Sequence, residues 1–192
     1  MIKQFKILFF TFFFFLIFIN ISQANLKEKI IKKLEETNTL SFDFIQKIAD
    51  LEEVGKCFIK YPLLMKCNYQ NEKKKILISN GRTVAIIKKK YKKIYYYPIK
   101  KTPLFIILNK ENILNFVKNN VPNKITTDTV EFKFSNKDSN MLNIIFDKKT
   151  FELKGWVTKD LYSNKVSFLI TNIEKNVQIN SNFFKIPKEE NL

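Results

Sequence analysis

The sequence contains no histidine and few glycines, with 3 among 192 residues. Without an imidazole, neither a Ser-His-Asp nor a Cys-His nucleophile pair is available, and a common nitrogen ligand of zinc is missing. No segment matches the glycine-rich GxxxxGK[ST] loop that cradles phosphate groups. The sequence therefore predicts no catalytic residues, no metal site and no cofactor, and it argues against an enzyme.

The N-terminal segment has the features of a secretory signal peptide. Two lysines precede an apolar run at residues 7–19, and Ser22 and Ala24 lie where a signal peptidase reads small residues. The run is 13 residues long, whereas a membrane-spanning helix needs about 20. Asn25 follows, where a bacterial lipoprotein would carry cysteine. We therefore expect residues 1–24 to be cleaved and residues 25–192 to form one exported, unlipidated domain.

The formal net charge is +16. Such a basic balance indicates an anionic partner, but export argues against nucleic acid. An AT-rich genome would also produce a sequence with abundant Lys, Asn, Ile and Phe and scarce Gly. Genome composition therefore explains part of the positive charge. The run KKKYKK, from Lys88 to Lys93, falls at a predicted hairpin tip. It is either a solvated turn or a docking site for anionic lipid headgroups or an acidic protein surface.

Hydrophobic periodicity divides the rest of the chain into one helix and many strands. Apolar residues recur at helical spacing over residues 26–38, and from Leu40 onward they alternate with a period of two. The segments CFIKY, MKCNY, KILIS, TVAIIK, KIYYY, VEFKFS, LNIIFD, FELKGWVT and KVSFLITNI follow at close spacing. Short turns join them, which is typical of an antiparallel meander.

Residues 102–120 interrupt this meander with a second helical pattern, which starts at Thr102-Pro103. Because one face of an antiparallel sheet needs a cover, we expect the two helical segments to pack on it. The predicted fold class is α+β, mainly β: a strongly curved antiparallel sheet of about ten or eleven strands. The N-terminal helix and the mid-chain insert would cover it.

Cys57 and Cys67 lie on either side of Pro62, too far apart for a CxxC motif and too few for a zinc site. A three-residue connection at Tyr61-Pro62-Leu63 places the two cysteines directly opposite each other, within reach of a cross-strand disulfide. A two-residue turn shifts the register by one and leaves both as buried thiols. The first arrangement is our prediction for an exported protein.

In order and spacing, several short motifs resemble the periplasmic outer-membrane lipoprotein carriers of the LolA type. The motifs are Phe44-x-Gln46, Gly55, Pro62, Ser79-Asn80-Gly81, Thr102-Pro103-Leu104, Phe146-Asp147 and Phe184-x-Ile186-Pro187. They span nearly the whole chain after the signal peptide. Each is weak alone, but the seven occur in the expected order.

The resemblance implies a half-barrel of antiparallel strands closed by a helical lid. It also implies a periplasmic, monomeric, non-catalytic carrier that holds the acyl chains of lipoproteins in an apolar cavity. Its partners would be an ATP-driven (ABC) lipoprotein-releasing transporter in the inner membrane and, where present, a receptor lipoprotein in the outer membrane. An alternative is a periplasmic lipid-sensing module of an envelope-stress pathway. Such sensors usually carry a further C-terminal domain, whereas this chain ends shortly after Pro187.

If strand parity holds, seven side chains face the cavity from the sheet and four from the helical insert. The sheet residues are Phe42, Phe44, Ile59, Met65, Cys67, Tyr69 and Ile78; the insert residues are Leu104, Phe105, Ile107 and Leu108. Ordinary core packing is the competing interpretation for each. Many members of the family have an arginine before the hairpin proline. Here Tyr61 takes that place, and its hydroxyl can donate to a carbonyl of the lid.

Overall fold

The computed structural model describes residues 25–135, 141–160 and 163–192. The predicted signal peptide lies outside the described residues. Eleven strands form one antiparallel sheet: β1 Thr39–Ile48, β2 Leu51–Lys60, β3 Leu64–Tyr69, β4 Lys75–Asn80, β5 Thr83–Lys88, β6 Lys93–Pro98, β7 Lys124–Ile125, β8 Thr129–Ser135, β9 Met141–Asp147, β10 Leu153–Lys159 and β11 Lys165–Lys175.

The strand order is β6-β5-β4-β3-β2-β1-β11-β10-β9-β8-β7, so the first and last strands pair in the middle of the sheet. The sheet is open, with β6 and β7 as its two edges. The segment that connects β6 to β7 must therefore run from one edge to the other. The predicted curved, open antiparallel sheet of ten or eleven strands with few helices is confirmed.

Three α-helices accompany the sheet in the part of the chain that the structure describes. Helix α1 comprises residues 25–35, α2 is Leu104–Ile107 and α3 is Lys110–Asn119. The predicted single insert is thus two helices, because the chain leaves the helical conformation at Asn109. The side chain of Asn109 accepts a hydrogen bond from the backbone N–H of Asn112 and so caps the start of α3. We refer to α2 and α3 together as the lid.

The main core lies between the lid, α1 and the inner face of the sheet. Ile30 and Leu34 of α1 and Ile113, Leu114 and Val117 of α3 are buried in it. From the sheet, inward-facing residues of β1, β2, β3, β5, β8, β9, β10 and β11 contribute to the same cluster, and the register of β10 shifts between its two members. The period-two pattern of the strands and the helical pattern of residues 26–34 and 104–117 therefore meet in one apolar interior.

The C-terminal segment packs on the outer face of the sheet. Short 3₁₀ turns at Ser181–Phe184 and Glu189–Asn191 follow β11. Ile186 and Leu192 pack against a second cluster of apolar residues from β4, β5 and β6. Lys60 holds the segment by donating to the carbonyl of Ile179 and the hydroxyl of Ser181, both at 3.1 Å.

Ile78 belongs to this second cluster, which corrects the expectation that it faces the cavity. It lies opposite Lys66, whereas its neighbours Leu77 and Ser79 lie opposite Cys67 and Met65. Apolar residues occupy three successive positions at 76–78, so alternation does not show which of them face inward. The C-terminal segment makes an apolar side chain favourable on the outer face here.

The β2–β3 hairpin has the register expected for a three-residue connection. Lys60 pairs with Leu64 and Cys57 with Cys67, and the Tyr61–Pro62 peptide bond within the turn is cis. A disulfide joins the two cysteines, whose Cα atoms are 4.1 Å apart. Both side chains are buried on the inner face, so the bond crosses the floor of the main core.

Candidate functional site: the apolar core beneath the lid

The structure brings most of the predicted cavity residues together, but as closely packed core. Seven of them are no more than 1% exposed: Phe42, Phe44, Ile59, Met65, Cys67, Ile107 and Leu108. Tyr69, Leu104 and Phe105 are partly buried and pack against the same cluster. The predicted sheet and lid residues therefore form one continuous apolar surface, apart from Ile78 on the opposite face.

A row of aromatic rings crosses the inner face of the sheet. Ring centroids are 4.8 Å apart for Tyr69 and Phe44, 4.7 Å for Phe44 and Phe168, and 4.2 Å for Phe168 and Trp156. A Cβ atom on Gly55 would lie 2.8 Å from the Phe44 ring, so the absence of a side chain lets the ring approach the β2 backbone. This aromatic row extends across the inner face from β3 to β10.

Sequence reasoning missed two members of the aromatic row, Phe168 and Trp156. Both lie on strands at the far end of the chain, and they reach Phe44 because the last strand, β11, pairs with the first, β1. The alternation of apolar residues in KVSFLITNI was a usable signal, because it places Phe168 and Ile170 on one face. That pattern does not show that this face meets Phe44.

The lid is fastened to the sheet by few polar contacts. Among the described residues, one hydrogen bond joins it directly to a strand hairpin: the Leu63 N–H donates to the Leu108 carbonyl at 2.9 Å. The Leu63 carbonyl in turn accepts from the Ser79 hydroxyl at 2.6 Å. The remaining attachment is apolar, through Ile107, Leu108 and the buried face of α3.

Surface contacts also join the lid to α1. Lys110 donates to the carbonyls of Glu35 at 3.3 Å and Thr37 at 3.1 Å, and so caps the end of α1. Lys27 donates to the Lys118 carbonyl at 2.9 Å. These exposed contacts are individually weak, so α1 and α3 can separate without a large electrostatic cost.

Tyr61 does not make the lid contact expected of it. Its hydroxyl is fully buried and has no hydrogen-bond partner among the described residues, and burial raises its pKa. The side chain lines a pocket of about 20 Å³ beneath α1, together with Leu34, Phe151 and Ile173. The hairpin is instead tied to the lid by the backbone of Leu63, two residues further on.

Tyr69 differs from Tyr61 in having a partner. Its hydroxyl donates to Gln46 Oε1 at 2.8 Å, which connects β3 to the FxQ motif of β1 across β2. Burial raises the pKa of Tyr69, and the charge of Glu53 raises it further. Both tyrosines therefore remain neutral hydrogen-bond donors at physiological pH.

The interior described here has the properties of a site for an apolar chain. Its lining is aliphatic and aromatic, and charged side chains lie outside the buried cluster. Within residues 25–135, 141–160 and 163–192, no group of three or more Cys, Asp or Glu side chains is placed to hold a metal ion. No helix in this part of the chain is long and apolar enough to span a membrane.

An open antiparallel sheet wrapped over an apolar interior and covered by a helical lid defines the half-barrel class of binding proteins. Residues 35–187 match the family model described as outer membrane lipoprotein carrier protein LolA. Because this match covers most of the chain, the protein belongs to the LolA family. No curated protein sequence matches the chain.

Solved structures are similar to this chain at very low sequence identity. A conserved protein from Thermus thermophilus is 7% identical with a TM-score of 0.51, over 86% of this chain and 94% of that one. A LolA superfamily protein from Nitrosomonas europaea is 8% identical with a TM-score of 0.45, over 85% and 97%. A chain of the MucA/MucB complex of Pseudomonas aeruginosa is 8% identical with a TM-score of 0.48. The match covers 88% of this chain and 62% of that one.

Proposed function

We propose that the protein is a non-catalytic periplasmic carrier that holds the acyl chains of lipoproteins between the lid and the inner face of the sheet. The observation that carries this proposal is the lid itself. It covers a large apolar interior, and one direct hydrogen bond, from Leu63 to Leu108, joins it to the sheet among the described residues. Membership of the LolA family supports the same assignment.

The packed interior means that cargo has to displace the lid. Opening the lid into water exposes about five large apolar side chains, namely Ile107, Leu108, Ile113, Leu114 and Val117. At about 2 kcal/mol for each, the lid side of this cost is about 10 kcal/mol, while the bound chain covers the sheet side. Each acyl methylene removed from water returns about 0.8 kcal/mol, so roughly a dozen methylenes offset it. Long acyl chains can therefore open the lid, whereas short ones cannot.

The proposed partners follow from the same energetics. A membrane offers acyl chains the same gain as the protein interior, so loading needs an external source of energy. We assign that role to an ATP-driven lipoprotein-releasing transporter in the inner membrane. Delivery to the outer membrane, directly or through a receptor lipoprotein, then needs only an apolar acceptor that binds the chains at least as well.

An acyl probe tests the proposal directly. Phe105→Glu places a carboxylate on α2, at the edge of the core where a bound chain would lie. Phe58→Glu is the matched control, because Phe58 is also partly buried but lies on the outer face, where its ring packs on Phe183 at 5.1 Å. We expect Phe105→Glu to weaken binding of a fluorescent long-chain probe at least tenfold, since the charge would be buried only in the bound state.

The control variant should bind the probe as the wild type does, and both variants should keep a cooperative thermal transition. Equal probe affinity for all three proteins would contradict a binding site beneath the lid. Mass spectrometry of protein purified from its native periplasm should also detect co-purifying acylated peptide. A carrier, unlike a lipid sensor, should then release its probe to acceptor vesicles.

A further inference from the structure

Two turns of the sheet bring a dense group of lysines together. The β3–β4 turn contributes Lys73, Lys74 and Lys75, and the β5–β6 turn contributes the five lysines of residues 88–93. The turns touch, since the backbone N–H of Lys90 donates to the Lys73 carbonyl at 3.5 Å. Register brings Lys88 opposite both Lys75 and Lys93. The sequence does not show that these two runs of lysines lie side by side.

Tyrosines adjoin the lysines. Tyr91, Tyr95, Tyr96 and Tyr97 are between 42% and 54% exposed, which is unusual for four aromatic side chains within seven residues. Tyr95 and Tyr97 lie on the inner face of the edge strand β6, opposite Ile86 and Val84. Lys88 lies over the Tyr95 ring at 5.1 Å. We call the lysines of residues 73–75 and 88–93, with Tyr91, Tyr95 and Tyr97, the Lys–Tyr surface.

The Lys–Tyr surface is continuous with the apolar core. Val84 is buried in that core and lies opposite Tyr97. Leu77 also packs against the core and lies opposite Ile86, the partner of Tyr95. The row through Leu77 and Ile86 thus passes from the core to exposed Tyr95 through apolar residues. The row of Tyr97 and Val84 continues to the buried Ser79, whose hydroxyl donates to the Leu63 carbonyl.

Acidic side chains offset little of this charge. Glu53 pairs with Lys75 and accepts from Asn71 at 2.8 Å, and Glu72 is exposed in the same turn. Glu189 accepts from the Ile94 N–H at 2.9 Å, and Glu190 pairs with Lys188. Four carboxylates therefore lie near eight lysines, and two of the four, Glu189 and Glu190, are engaged with groups outside the lysine cluster.

We propose that the Lys–Tyr surface docks onto membranes that carry anionic lipid headgroups. Lysines attract such headgroups, and each basic residue near the bilayer strengthens the attraction. Exposed tyrosines favour the interface between headgroups and acyl chains, which a purely ionic protein contact would not require. Docking in this orientation sets the uncovered end of the inner face, and hence the route into the core, against the bilayer. The proposal concerns the protein without cargo and does not depend on the carrier function.

Vesicle flotation tests this proposal with the purified, cargo-free protein. The probes are phosphatidylcholine vesicles with and without phosphatidylglycerol. We expect binding to the anionic vesicles alone, and we expect it to fade as the Debye length falls from about 10 Å to about 3 Å. Replacing the five lysines of residues 88–93 by Ser should weaken binding at least tenfold.

Two matched controls separate docking from general charge. Replacing Lys124, Lys133, Lys149, Lys159 and Lys165 by Ser removes the same charge from exposed positions on the other half of the sheet, and should leave most of the binding. Tyr95→Ser should weaken binding, whereas Tyr96→Ser, on the outer face of the same strand, should not.

Three outcomes would overturn the proposal. Equal losses in both five-lysine variants would show that net charge alone causes the binding. Equal effects of Tyr95→Ser and Tyr96→Ser would show that the inner face of β6 is not the side turned towards the membrane. No binding of the wild type to anionic vesicles would exclude a lipid surface and favour an acidic protein as the partner of these lysines.

Discussion

The buried hydroxyl of Tyr61 permits a quantitative test of how the hairpin is held. An unsatisfied buried polar group costs about 1 to 3 kcal/mol of folding free energy. Because Tyr61 Oη has no partner among the described residues, Tyr61→Phe removes that cost and no hydrogen bond. We expect the variant to be as stable as the wild type or more stable by about 1 kcal/mol.

Tyr69→Phe is the matched control. It makes the same chemical change in a neighbouring strand, but here the hydroxyl donates to Gln46 Oε1 at 2.8 Å. Loss of this bond should cost about 1 kcal/mol. Urea unfolding of the oxidised proteins, followed by the fluorescence of Trp156, gives both free energies. The expected difference between the two variants is therefore about 2 kcal/mol, with Tyr61→Phe the more stable.

The pH dependence gives a second readout. Burial raises the pKa of Tyr61 above its ordinary value of 10.0. A group whose pKa is raised by folding stabilises the protein below its unfolded pKa, and this contribution is lost as the pH rises through the folded value. The free energy of unfolding of the wild type should fall above about pH 10, and that of Tyr61→Phe should fall less steeply. A loss of stability in Tyr61→Phe equal to that in Tyr69→Phe would show that the Tyr61 hydroxyl has a partner, and would refute this reasoning.

Two further predictions concern residues in the β9–β10 and β2–β3 hairpins. Burial opposes ionisation of Asp147, but hydrogen bonds from Lys154, Thr150 and Lys149 prevail and lower its pKa from 3.8 to about 2. The carboxylate should therefore contribute about 2 kcal/mol to the free energy of unfolding above pH 4, and this contribution should be lost towards pH 2. Urea titrations between these pH values should show that Asp147→Asn lacks this part of the pH dependence. Replacing Cys57 and Cys67 together by Ala should destabilise the protein by about 3 kcal/mol, and the unreduced, unfolded wild type should titrate no free thiols; two free thiols would exclude the bond.

The sheet could be predicted because its strands alternate clearly and its turns are short. The register of β2 and β3 followed from one local fact, the three-residue connection at Tyr61-Pro62-Leu63, which fixes every pair from Lys60 and Leu64 to Cys57 and Cys67. Covering of the sheet by helices followed from the same logic, because apolar faces on residues 26–34 and 104–117 needed a surface to pack on.

Contacts between distant parts of the chain could not be predicted in the same way. The aromatic row joins Tyr69 and Phe44 to Phe168 and Trp156, and it exists because β11 pairs with β1. Among the described residues the Tyr61 hydroxyl has no hydrogen-bond partner, and this depends on which side chains surround it in three dimensions. Periodicity shows which residues share a face of one strand, but it does not show which strands adjoin.

The misplaced Ile78 has a structural cause that also explains the uncovered end of the inner face. The lid and α1 cover the inner face from β8 to β3 and reach Val84 of β5. Strands β4, β5 and β6 also bury apolar side chains on the outer face, beneath the C-terminal segment. These three strands therefore have apolar residues on both faces, with one face covered by Ile186 and Leu192. The other face carries Ile86, Tyr95 and Tyr97 into solvent beside the buried core. Apolar side chains remain exposed there because the chain has no further helix with which to cover them within the described residues. A membrane surface would bury the side chains of Ile86, Tyr95 and Tyr97, which is the arrangement that the proposed docking predicts.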